Sequence, residues 1–108
     1  MKLIRETGTT VNVSEGDIRS SLEGEEFAIL VSDEDEATYM QFHDSRDADD
    51  QVLQEEYILE YQAGSLSEHY DATDSRITLV MVTDAFVKYL RCDETWMTDF
   101  AWKPMSLE

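Results

Sequence analysis

Between Glu55 and Ala72 the chain reads EEYILEYQAGSLSEHYDA, two alternating runs either side of a break of small residues. This stretch restricts the fold more than any other, because it predicts a β-hairpin whose register is set by its own pattern. In the outgoing run Tyr57, Leu59 and Tyr61 fall on one face and Ile58, Glu60 and Gln62 on the other, the period of two of a half-buried strand. Ala63, Gly64 and Ser65 supply the turn, Gly64 being the residue that most readily takes a positive φ. In the returning run Leu66, Glu68, Tyr70 and Ala72 alternate with Ser67, His69 and Asp71. The expected division sends Tyr57, Leu59 and Tyr61 to the core and leaves Glu60, Gln62, Glu68 and His69 in water.

A lone hairpin is not stable, so its apolar face needs further strands or a helix. Lys2 to Glu6 and Thr10 to Val13 are short β-prone pieces. Ser14 followed by Asp17 has the form of an N-cap with an acidic third helical residue; Ile18 and Leu22 then share a face before Gly24 ends a short helix. Phe27 to Val31, FAILV, is a continuous apolar run and reads as a central strand buried on both faces. After the charged turn SDEDEA comes a strand from Tyr39 to His43, with Tyr39 and Gln41 on one face and Met40 and Phe42 on the other. Asp44 to Gln51 has no periodicity and reads as an exposed acidic loop. Thr78 to Leu90 carries a helical stripe of Val82, Ala85, Phe86 and Tyr89, extended by Leu79 and Leu90. Thr98 to Lys103 alternates again, with Phe100 and Trp102 together, and Pro104 stops that last strand or places it at an edge. The sum is an α+β fold: a mostly antiparallel sheet of about five to six strands, a C-terminal helix packed on one face and a short N-terminal helix.

With 108 residues there is room for one domain, expected over 1–106; Leu107 and Glu108 read as residues left by cloning. Eight Lys and Arg oppose 25 Asp and Glu, giving a formal charge of −17. That balance opposes contact with nucleic acid or an anionic membrane and favours a basic partner, although solubility alone would also account for it. The N-terminus lacks the roughly 7 to 15 apolar residues of a signal-peptide core. A lone Cys92 cannot form an internal disulfide, so the expected location is the cytoplasm.

The acid runs invite a calcium reading, but a loop opened at Asp47 would put Val52 where glycine is needed and Ile58 where a bidentate glutamate is needed. Nothing in the spacing brings His43, His69 and Cys92 together, and Cys92 follows a helix end, where the dipole disfavours a thiolate. Hydrolase, phosphate-loop and zinc signatures are absent from the sequence, so no catalysis, metal or cofactor is expected.

Several features in this order resemble a small family of immunity proteins from bacterial polymorphic toxin systems, the family numbered first among them. They are Tyr39-Met40-Gln41 in an early strand, Glu60-Tyr61 and Gly64 in the hairpin with His69-Tyr70 returning, Ala85, Phe86 and Tyr89 on the helix, and the closing Trp96 and Trp102. The resemblance spans residues 27 to 105 and departs at Lys103, where members often carry an acid after the last tryptophan. It implies an antiparallel sheet with a C-terminal helix, no catalysis, and a cognate protein toxin, often a deaminase or nuclease, as partner to a monomer or homodimer. On that footing Asp33, Glu34, Asp35, Asp47, Asp49 and Asp50 are the expected contacts to a basic toxin surface, with Tyr70 or an exposed Trp96 as aromatic anchor. An acidic adaptor with no toxin partner is the alternative.

Overall fold

The computed structural model describes residues 1–44, 57–74 and 76–105. In chain order they form β1 (Lys2–Arg5), β2 (Gly8–Thr10), α1 (Glu15–Ser21), β3 (Phe27–Val31), β4 (Thr38–Asp44), β5 (Tyr57–Ala63), β6 (His69–Ala72), α2 (Leu79–Leu90), α3 (Trp96–Asp99) and β7 (Trp102–Pro104). The strands make one seven-stranded sheet in the order β2-β1-β3-β4-β5-β6-β7, and every neighbouring pair is antiparallel. The fold is α+β as the sequence implies, with more strands than expected. Among the described residues no helix is long and apolar enough to cross a membrane.

Both main helices begin where local chemistry supplies a cap. Ser14 Oγ accepts from the Asp17 N–H at 3.1 Å while Asp17 Oδ2 accepts from the Ser14 N–H at 2.9 Å, a reciprocal pair that satisfies two otherwise orphaned groups. Thr78 Oγ1 does the same for the Met81 N–H at 3.3 Å. α2 lays Val82, Ala85, Phe86 and Val87 into the core and packs on β4, β5 and α1. It ends at Leu90, and two residues on, Cys92 takes φ 59°, so the Asp93 N–H can turn back to the Lys88 carbonyl at 2.9 Å.

The helices cover one face of the sheet, where Leu3, Leu30, Met40 and Tyr61 stand in register across β1, β3, β4 and β5. Tyr57, Leu59 and Tyr61 point to this side, as the hairpin pattern requires. Tyr61 anchors an aromatic cluster: Tyr70 stacks on it with centroids 4.9 Å apart, and Trp96 and Trp102 meet it edge-on at 4.8 and 4.7 Å.

Several expectations need correction. β3 is interior, but β4 holds the middle of the sheet, and Phe27 and Ile29 are only half-buried because the helices cover a single face. The second strand is Gly8–Thr10, earlier than the β-prone Thr10 to Val13, because Thr10 must sit opposite Leu3. The hairpin return starts at His69: the Gly64 N–H bonds the Ala37 carbonyl at 3.1 Å, so the chain runs on beside β4, and Leu66–Glu68 forms a 3-10 turn before pairing resumes. Gly64, at φ 90°, takes the positive φ expected of it. A closing strand follows the main helix as expected, but it is shorter, and a further helix precedes it. Thr98 to Lys103 is divided between α3, wound up after Asp93 Oδ1 accepts from the Thr95 N–H and hydroxyl at 3.0 and 2.8 Å, and β7, an edge strand that contains Pro104. The predicted loop at 44–51 lies outside the described residues apart from Asp44, which ends β4.

Candidate functional site

Among the described residues no helix covers the opposite face of the sheet, and the register arranges its side chains in rows. One row crosses all seven strands: Thr9, Ile4, Ile29, Gln41, Glu60, Asp71 and Lys103. A second runs Lys2, Val31, Tyr39, Gln62 and His69. Strand alternation therefore makes one end of this face apolar and the centre polar.

The polar centre is a connected network. Glu60 Oε1 accepts from Gln41 Nε2 at 2.8 Å and lies 2.9 Å from His69 Nε2. Gln62 Nε2 donates to the Ala37 carbonyl at 3.0 Å, which turns its Oε1 toward the Tyr39 hydroxyl at 3.2 Å and His69 Nδ1 at 3.1 Å. Both nitrogens of His69 thus face side-chain oxygens of β5. The Tyr39 ring closes over His69 edge-on at 6.1 Å, and His43 Nε2 stands 3.6 Å from Glu60 Oε2.

Electrostatics follow from this packing. Burial pushes the Glu60 carboxyl up, but the hydrogen bonds from His69 and Gln41 and the positive charge of His69 and His43 hold it below its ordinary value. Burial, helped by the nearby Glu60 charge, raises the Tyr39 phenol. Glu60, Gln62 and His69, expected in water, are buried, because each finds its partners on a neighbouring strand.

Beside this network a shallow depression of about 360 Å3 opens on the same face, lined by Lys2, Ile4, Ile29, Val31, Glu36, Tyr39 and Gln41. Tyr39 and Gln41 belong to both, so the network holds two walls of the depression in place. Sequence reasoning put these two residues on one face, and the alternation of Glu60 and Gln62 was the signal that a polar partner row existed.

The expected contact residues are scattered. Asp33, Glu34 and Asp35 share the β3–β4 turn with Glu36, the residue of that turn that lines the depression. Asp33 Oδ2 is 2.5 Å from the N-terminal amine. Asp35 holds the turn itself, accepting from the Ala37 N–H at 2.9 Å and the Thr38 hydroxyl at 3.0 Å, while Glu34 is exposed. Asp47, Asp49 and Asp50 lie outside the described residues. Tyr70 sits on the helix-side face, stacked on Tyr61, with its hydroxyl donating to Glu68 Oε2 at 2.6 Å. Trp96 is 6% exposed, packed against Tyr61, Tyr89 and Trp102, so the exposed anchor expected there is instead part of the core. No group of three or more His, Cys, Asp and Glu among the described residues is placed to hold a metal ion. No family model, curated protein or solved structure matches the chain.

Proposed function

We propose that this chain is an immunity protein: it binds a cognate polymorphic toxin, one acting on nucleic acid, and silences it by occupying its surface without catalysis. The observation that carries the reading is the uncovered sheet face, whose polar centre is already locked, beside an acidic turn on a chain of formal charge −17. A locked face gives up little side-chain freedom on docking. The charge complements a toxin built to grip phosphates, which must present a basic groove, and it speeds encounter with such a groove. The residues that carry the family resemblance have physical roles consistent with this reading: Tyr39, Gln41, Glu60 and His69 build the face, while Tyr61, Phe86, Trp96 and Trp102 build the core beneath it.

The test is co-expression with the cognate toxin domain that the proposal requires, sought in the reading frame next to this gene. Growth should be restored by the chain, and purified components should associate with a rate that falls steeply between low and high salt. The double substitution Asp33→Asn with Glu34→Gln should slow association and flatten that salt dependence. Failure to restore growth, with the chain folded and expressed, would remove the proposal in favour of an acidic adaptor.

A further inference from the structure

The depression on the uncovered face has a two-part chemistry. Its floor is apolar, from Ile4 on β1 and Ile29 and Val31 on β3, and its rim carries Glu36, whose side chain is 89% exposed. Ile4 and Ile29 stand opposite each other in the sheet interior yet remain half-buried, since nothing described lies over them. Two walls are fixed: the Tyr39 hydroxyl donates to Gln62 Oε1, and Gln41 Nε2 donates to Glu60 Oε1. Among the described residues the cation at the rim is Lys2, which reaches Glu36 only at 3.7 Å, a surface pair that a better-placed cation can replace at little cost.

Building on the toxin-binding reading, we infer that this depression is the anchoring pocket for a basic protein partner, which seats an apolar side chain on Ile4, Ile29 and Val31 while a flanking lysine or arginine pairs with Glu36. Charge decides the occupant. A second copy of this chain would bring another formal −17 against the same rim, and an acidic partner would meet Asp33, Glu34 and Glu36 together. The floor decides the rest, because a purely polar basic surface would leave Ile4 and Ile29 facing unmatched groups.

Two experiments separate this inference from the reading beneath it. First, the intact chain, labelled at Ile and Val methyls, is titrated with the blocked tripeptide arginine-leucine-arginine and with its glutamate-leucine-glutamate counterpart. The methyls of Ile4, Ile29 and Val31 should shift with the basic peptide and not with the acidic one, while Val80 on the helix side stays still; equal responses to both peptides, or shifts centred on Val80, would overturn the inference. Second, Glu36→Lys and Ile29→Glu are compared with the parent chain in the growth assay and by toxin affinity. Glu36→Lys alters a side chain exposed enough to leave folding intact, and it should weaken binding at least tenfold; thermal melting checks that Ile29→Glu is folded. If the parent chain protects and both variants bind as tightly, the pocket assignment fails and the toxin reading stands. If the parent chain does not protect but the basic peptide still shifts the three methyls, the toxin reading fails and the pocket stands.

Discussion

Replacing Glu60 by leucine tests whether the polar centre of the uncovered face is one connected unit. Glu60 Oε1 is 2.9 Å from His69 Nε2 and 2.8 Å from Gln41 Nε2, and His69 is 2% exposed, so the substitution strips a buried ring of one acceptor and a half-buried amide of another. Hydrogen bonds to a charged group contribute roughly 1.5–3 kcal/mol each, and Gln41, which can recover water, counts at the low end. Burying the leucine in place of the carboxylate returns about 1–2 kcal/mol. The net expectation is a loss of about 2 kcal/mol, or roughly 8 °C in melting temperature for a domain of this size. His69→Leu alone leaves a buried carboxylate short of a donor and should cost a similar amount.

The double substitution removes both hydrogen-bonding partners together, so it should cost less than the sum of the singles by about 2 kcal/mol. Urea unfolding at neutral pH, followed by the fluorescence of Trp96 and Trp102, measures all three variants. Additive effects, with a coupling below about 0.5 kcal/mol, would refute the claim that these groups act as a unit. A pH series gives a second readout of the same pair. Because the folded-state value of Glu60 lies below its ordinary 4.5, its contribution is present above the unfolded-state value and is lost as pH falls through the folded one. His43 on β4 and His69 and Asp71 on β6 face this carboxylate. The parent chain should therefore lose stability below pH 4.5 more steeply than Glu60→Leu.

Three further outcomes are expected. Trp96→Ala should cost about 3–5 kcal/mol in urea unfolding, because it empties the centre of the aromatic cluster; a loss under about 1 kcal/mol would mean the ring is not packed as described. Tyr89, pushed up to about 12 by burial and secondarily by Cys92, prefers its neutral form when folded, so stability falls as pH rises from 10 through that value. Tyr89→Phe should flatten that decline, and an unchanged alkaline profile would contradict it. Ser14→Ala should destabilise by about 1 kcal/mol through loss of the reciprocal cap on α1, read as a thermal shift, and Ser14→Asp should retain most of the stability.

Local chemistry made the helices legible. Ser14 with Asp17 fixed the start of α1, and the stripe of Val82, Ala85, Phe86 and Tyr89 defined the buried face of α2, because caps and periodicity depend only on near neighbours. The hairpin face was legible for the same reason. Features settled at long range were not. An apolar run such as Phe27 to Val31 states that burial is favourable and says nothing of how many faces have a cover, and here Ala28 and Leu30, on the covered face, are fully buried while Phe27 and Ile29 are only half-buried. Trp96 has no periodic signal; its burial depends on Tyr61, from a strand far back in the chain, and on Trp102. Val87, beside the stripe rather than in it, is buried without any signal from the α2 pattern.

The polar centre shows a deeper limit, since alternation tells which side of a strand a residue takes and not whether that side is wet. Glu60, Gln62 and His69 read as solvated, yet each is satisfied by groups on another strand: Glu60 and Gln62 by Gln41 and Tyr39 on β4 and the Ala37 carbonyl just before it, and His69 by Glu60 and Gln62 on β5. Those partnerships depend on register. Sliding β5 by one residue against β4 would break the Gln41–Glu60 and Tyr39–Gln62 pairs together and send both polar side chains into the apolar face. The network therefore discriminates against slipped pairings more sharply than the apolar rows can, because exchanging one apolar residue for another costs less than stranding a charge. Tyr39 and Gln41 belong both to this network and to the walls of the depression, so register and pocket shape are linked. Glu60→Leu should then weaken capture of the basic tripeptide although Glu60 does not line the depression, while Lys103→Ala, at the far end of the same row, should leave capture unchanged. Equal effects of the two would mean that the walls do not depend on the network.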